Sequence, residues 1–85
     1  MFNRKKQPPI KSLIAHGSLI AGNYTFTDGL RVDGGVTGNI RSNDEQPSIL
    51  VISETAVVTG EIHADHIIVN GQVNGPIYAS VMLEL

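Results

Sequence analysis

The sequence predicts an all-β protein folded as a parallel β-helix, a solenoid of about 15–16 residues per coil. Three observations lead there. In VNGQVNGPI, residues 69–77, Val69, Gly71, Val73, Gly75 and Ile77 hold every second position. A period of two belongs to a strand, whereas a helix repeats near 3.6. The second observation is repetition. Gly22, Gly38, Gly60 and Gly75 align as equivalent positions, with spacings of 16, 22 and 15 residues. The third is composition: 41% of the chain is hydrophobic, chiefly Ile, Val and Leu, with no Trp. Branched aliphatic side chains suit a pleated surface, and the many glycines are poor helix formers.

The elements follow in order. Residues 1–11, MFNRKKQPPIK, read as a flexible basic tail, since prolines and polar residues there do not pack. The β-helix domain spans 12–85. Its first repeat contains Ile20, Gly22 and Tyr24. The second runs Leu30, Val32, Gly34, Val36, Gly38, Ile40. The third runs Leu50, Ile52, Val58, Gly60, Ile62. The fourth runs Ile67, Val69, Gly71, Val73, Gly75, Ile77, and a fifth begins at Val81-Met82-Leu83. The long middle spacing is assigned to an insertion at NDEQP, 43–47.

A hairpin reading fails, because only Gln72 and Val73 separate the two Asn-Gly pairs, too few for a hairpin arm. In a solenoid, glycines let the corners adopt unusual backbone angles, and this role falls to Gly22, Gly34, Gly38, Gly60, Gly71 and Gly75. Coils then lie ~4.8 Å apart. Ile20, Val36, Val58 and Val73 form one internal stack. Tyr24, Ile40, Ile62 and Ile77 form another, and Val32, Ile52 and Val69, earlier in each repeat, belong to the same core. Each buried aliphatic side chain contributes roughly 1.5–3 kcal/mol. No coil buries its face alone, so several must stack.

Eighty-five residues make one small domain with a modest core. The absence of cysteine excludes a disulfide framework and thiolate metal sites. Arg4, Lys5, Lys6 and Lys11 give the tail a charge of +4, while the body carries −6. A basic arm on an acidic body suggests separate tasks. The body lacks the basic face that a nucleic-acid partner needs. No apolar run approaches the ~20 residues of a membrane-spanning helix. Gln7-Pro8-Pro9 interrupts any secretory apolar region, so the expected compartment is the cytoplasm.

Candidate chemistry is sparse. His63 and His66 flank Asp65, and such ligand types bind zinc. Residues three apart on a strand face opposite sides, so these are expected to be exposed polar residues near a corner, with no metal. His16, in AHGS, has no partner nominated for general-base work. Leu30 to Val36 and Ile67 to Val73 are six apart, the interval of hexapeptide acyltransferases. The repeats of 16 and 15 do not keep that period. DGGVTGN, 33–39, lacks the Gly-Lys-Ser/Thr and following helix of a phosphate loop. Tyr24 and Tyr78 are too few for a base-stacking platform. Asp33 and Asp65 are out of register for a calcium-binding nonapeptide. No catalytic residue and no cofactor is expected.

GLRVDGGVTGNI (29–40), SETAVVTGEIHADHIIVNGQVNGPIYA (53–79) and VMLEL (81–85) together resemble the bactofilins, bacterial cytoskeletal proteins. The resemblance covers roughly 12–85. It implies a right-handed β-helix that polymerises without nucleotide into non-polar filaments. It also implies that these scaffold cell shape or recruit cell-wall or polarity factors. Such cores usually continue for another coil, so this chain reads as a fragment or a short member.

Solenoid ends expose unpaired backbone groups. Contacts between polymerising copies are therefore expected at Leu13, Ile14, Met82, Leu83 and Leu85. The sequence alone permits head-to-tail and like-to-like stacking equally. Met1 and Phe2 followed by Arg4, Lys5 and Lys6 resemble the short membrane-targeting peptide of many bactofilins. The expected location is the inner face of the cell membrane, on anionic lipid. The competing function is a non-polymerising adaptor that shows acidic faces to a protein partner.

Overall fold

The computed structural model describes residues 9–43 and 47–85. Its elements are eleven strands: β1 (Ile10–Ile14), β2 (Leu19–Ala21), β3 (Tyr24–Phe26), β4 (Gly29–Val32), β5 (Gly35–Thr37), β6 (Ile40–Ser42), β7 (Ile49–Ile52), β8 (Val57–Thr59), β9 (Ile62–Val69), β10 (Gln72–Asn74) and β11 (Ile77–Glu84). Every pairing is parallel, and every one joins a strand to the strand one coil away. The chain is a β-solenoid of about four turns. β2, β5, β8 and β10 form one four-stranded sheet, and the other seven strands form the second.

The stacks are registered residue by residue. Ile20 pairs with Val36, Val36 with Val58, and Val58 with Val73. Tyr24, Ile40, Ile62 and Ile77 pair in the same way. Leu30, Leu50, Ile67 and Leu83 make a third column, and Ile14, Val32, Ile52 and Val69 a fourth. The middle of the bore is dry: Leu30, Val32, Ile40, Leu50, Ile52, Val58 and Ile62 are 0% exposed. Phe26, at 4%, joins them, although the repeat pattern gave it no place.

The corners come in two kinds. One recurs at Gly22, Gly38, Gly60 and Gly75, with φ of +120°, +146°, +147° and +156°, a region open mainly to glycine. A side chain is also sterically barred there, because a Cβ on Gly38 or Gly60 would strike the carbonyl of the glycine one coil earlier. The other kind corrects the expectation for Gly34 and Gly71, whose φ values lie outside the left-handed region. They are needed for space. Each tucks under a wider turn of the previous coil, and a Cβ would meet the carbonyl oxygens of Ala15 and Ser18, or of Ser53 and Ala56.

Next to the first kind of corner runs a short side-chain ladder. The Asn39 N–H donates to Asn23 Oδ1 at 3.1 Å, and the Glu61 N–H donates to Asn39 Oδ1 at 2.9 Å. The next residue in the column is Pro76, which has no N–H to donate.

Two boundaries shift. Ile10 and Lys11, read from sequence as the end of the tail, lie in β1, and Lys11 Nζ meets Asp28 Oδ2 at 2.9 Å. The long spacing builds up in two steps: paired residues lie 16 apart at Tyr24–Ile40, 20 apart at Val32–Ile52 and 22 apart at Val36–Val58, so the wider turn at Ser53–Ala56 adds two residues and the segment between β6 and β7 adds four. Asn43 and Pro47 flank it, while 44–46, inside the expected insertion, lie outside the described residues. The later coils have no such break: β9 runs unbroken past it, pairing with β6 at Ile62–His63 and with β7 at His66–Val69.

Candidate assembly site

Among the described residues, the strands at the two edges of the coil stack keep unmet backbone bonding capacity. β1, β2 and β3 pair on one side only, with β4, β5 and β6. At the other edge β10 pairs only with β8, and β11 only with β9. An unpaired strand edge is a template for another strand. Burial follows the same gradient. Val36 and Val58, in the middle of their column, are 1% and 0% exposed, whereas its end members Ile20 and Val73 are only half-buried. Tyr24 and Ile77 end the neighbouring column and are likewise half-buried around Ile40 and Ile62.

The individual residues divide. Leu13 is 58% exposed at the first edge, and Met82, Leu83 and Leu85 are 47%, 43% and 81% exposed at the other. Ile14 is not available as a side-chain contact. It points into the bore above Val32 and is 5% exposed, so only its backbone faces outward from that edge. Ile10 and Val81, 47% and 65% exposed, add apolar surface at the same two edges. Met1, Phe2, Arg4, Lys5 and Lys6 lie outside the described residues.

The histidines do not gather into a centre. Along β9 the buried positions pass from Ile62 and Ala64 to Ile67, so the strict alternation slips by one residue. His63 and His66 are half-buried within this strand rather than exposed at a corner. His63 stacks on Tyr78, ring centroids 4.5 Å apart, and its Nε2 lies 3.0 Å from Glu61 Oε1. His66 pairs with Ile49 on one side and Met82 on the other, and its Nδ1 is buried without a partner. Among the described residues no three His, Asp or Glu side chains stand close enough to hold a metal ion. His16 is exposed in the turn Ala15–Ser18.

Two polar clusters are structural. Ser48 and Asp65 clasp each other where the insertion rejoins the coils. The Ser48 N–H donates to Asp65 Oδ2 at 3.2 Å, and the Asp65 N–H donates to Ser48 Oγ at 2.9 Å. Ser80 Oγ adds a bond to Asp65 Oδ1 at 2.6 Å from the next coil. Asp33 accepts from Arg31 Nε at 2.9 Å. Hydrogen bonds from Ser53 and from Arg31 hold its carboxyl below the ordinary 3.8. Neither cluster was legible from the aligned glycines, because Ser48 follows the insertion and Ser53 lies in the wider turn before Ala56, where the repeat spacing breaks.

No helix among the described residues is long and apolar enough to cross a membrane. No curated protein and no solved structure matches the chain. The family model for Bactofilin, described as polymer-forming cytoskeletal, matches residues 12–85. That match covers all eleven strands except Ile10 and Lys11 at the start of β1, and the chain belongs to the bactofilin family.

Proposed function

We propose that this chain polymerises by stacking its end coils, without nucleotide or metal, into filaments that act as a structural scaffold and not as an enzyme. The observation that supports this reading is the burial gradient. The inner columns are sealed at 0–1% exposure, and the same columns stay half-open at Ile20, Tyr24, Val73 and Ile77. A second copy set on such an edge extends the hydrogen-bond ladder and closes the bore together. Burying one half-exposed aliphatic side chain contributes about 1 kcal/mol, and each added backbone bond ~0.5–1.5 kcal/mol. Leu13 at one edge, and Met82 and Leu83 at the other, widen the contact.

The tail supplies the second half of the proposal. Phe2 enters the headgroup boundary while Arg4, Lys5 and Lys6 meet anionic lipid, each base contributing about 1 kcal/mol. One tail binds weakly and reversibly, whereas a polymer presents many and binds by avidity. This places the filament on the inner face of the cell membrane, where it scaffolds cell shape or recruits cell-wall or polarity proteins.

Sedimentation and negative-stain microscopy of pure protein in EDTA, without ATP or GTP, test the first half. Filaments that pellet at high speed are expected, and a discrete small species at every concentration supports the adaptor reading instead. Co-sedimentation with phosphatidylglycerol vesicles tests the second half. Phe2→Glu is expected to leave filaments intact but unbound, and equal pelleting of both proteins excludes the tail as the anchor.

A further inference from the structure

The four-stranded sheet has an outer face unlike the rest of the molecule. Its outward residues are Leu19 and Ala21 on β2, Gly35 and Thr37 on β5, Val57 and Thr59 on β8, and Gln72 and Asn74 on β10. None is charged, in a chain whose body carries −6. Leu19 and Val57 are 71% and 44% exposed on this face. Between them lies Gly35, over which Leu19 leans: an added Cβ there would meet Leu19 Cδ1 at 3.1 Å. Gln72 and Asn74 hydrogen-bond to each other at 3.1 Å, which satisfies part of their polarity within the face. The other outer faces carry Lys11, Arg31 and Glu84, or Arg41 and His63.

We infer that this neutral sheet face is a lateral interface between filaments, its occupant being the same face of a second copy of the chain. Two arguments select that occupant. Copies with acidic bodies repel wherever charged faces meet, and this face brings no charge to the contact. The area is the second argument. Four strands of three residues cover only about 190 Å², against the ~800 Å² per partner of a stable pair. Two isolated copies therefore do not dimerise through it. A row of roughly four stacked subunits reaches the required area. The interface thus belongs to the polymer and rests on the assembly reading above. Asp33, Glu54 and Glu61 stand at corners beside the face, so salt that screens them strengthens the lateral contact.

The test compares wild type, Val57→Lys, Gln72→Lys and Thr25→Lys by electron microscopy and by pelleting at low and high speed, with circular dichroism as the folding control. Thr25 is exposed on a different face, and each substitution changes net charge equally. Wild type and Thr25→Lys are expected to form bundles that pellet at low speed and persist at higher salt. Val57→Lys and Gln72→Lys are expected to lose the low-speed pellet while single filaments still pellet at high speed. Gln72→Lys carries the comparison where Val57→Lys fails to fold. Wild-type filaments that stay single, or folded face variants that bundle as wild type does, overturn the inference and leave assembly standing. A wild type with no filaments at all refutes both.

Discussion

Replacing single glycines by alanine separates the two reasons a coil corner needs glycine. Gly17 has φ of +94° but open space around an added Cβ. Gly34 has no left-handed φ, but its Cβ would run into the backbone carbonyls of Ala15 and Ser18. Gly60 combines φ of +147° with a collision against the Gly38 carbonyl. For Gly17→Ala the left-handed conformation costs about 1–2 kcal/mol. The stiffer unfolded chain offsets ~0.4–1 kcal/mol of this, leaving a loss of about 1 kcal/mol. In Gly34→Ala the obstruction is backbone, so two coils must part. Overpacking costs about 1–3 kcal/mol. The bonds from Gly35 N–H to Ser18 O and from Val57 N–H to Gly34 O, 2.9 and 3.2 Å, weaken with it. A loss of ~2–4 kcal/mol follows. Gly60→Ala adds strain of ~1–3 kcal/mol and loosens the Gly60 N–H bond to Asn74 O. Its expected loss, ~4–6 kcal/mol, rivals the ~5–15 kcal/mol that holds a domain folded. Urea unfolding followed by far-ultraviolet circular dichroism reads the series, at one protein concentration because assembly raises apparent stability. The expected order of stability is Gly17→Ala, then Gly34→Ala, then Gly60→Ala. Equal stability of Gly17→Ala and Gly34→Ala would refute the steric account of the second corner type.

Val58→Asp places a carboxylate in a 0% exposed column at a cost of several kcal/mol and is expected to abolish folding, whereas Val57→Asp, pointing outward, leaves the circular dichroism spectrum unchanged. Ser48→Ala strips the Asp65 N–H of its acceptor and is expected to cost about 1–3 kcal/mol, read as a lowered melting temperature. The depressed Asp33 carboxyl contributes stability that is present above its unfolded value of 3.8 and is lost as pH falls through the lower folded value. Thermal melts of Asp33→Asn are therefore expected to show a shallower decline than wild type below about pH 4; parallel curves would remove Asp33 from the account.

Much of the fold was legible because a solenoid repeats its chemistry at one spacing. Aligning Gly22, Gly38, Gly60 and Gly75 fixes which residues stack, and the columns through Val58 and Ile62 follow from that alignment. The Asn23, Asn39, Glu61 column was readable too, as the residue after each aligned glycine. Gly34 and Gly71 were located but misread, because their constraint is the shape of a neighbouring coil rather than their own φ. His63 and His66 were misplaced for a similar reason: spacing predicts facing only while the alternation holds, and in β9 it slips by one residue between Ala64 and Ile67. At the assembly edges, Leu13 was readable as an apolar residue near the first coil. The inward turn of Ile14 needed the register with Val32.

The central claim is that coils of one subunit continue onto coils of the next. X-ray diffraction from aligned filaments of the pure protein, grown in EDTA without nucleotide, tests it most directly. End-coil stacking sets the interstrand direction along the filament axis, so a strong reflection near ~4.8 Å is predicted on the meridian. A ~4.8 Å reflection on the equator would show subunits joined through their sides and would contradict the account.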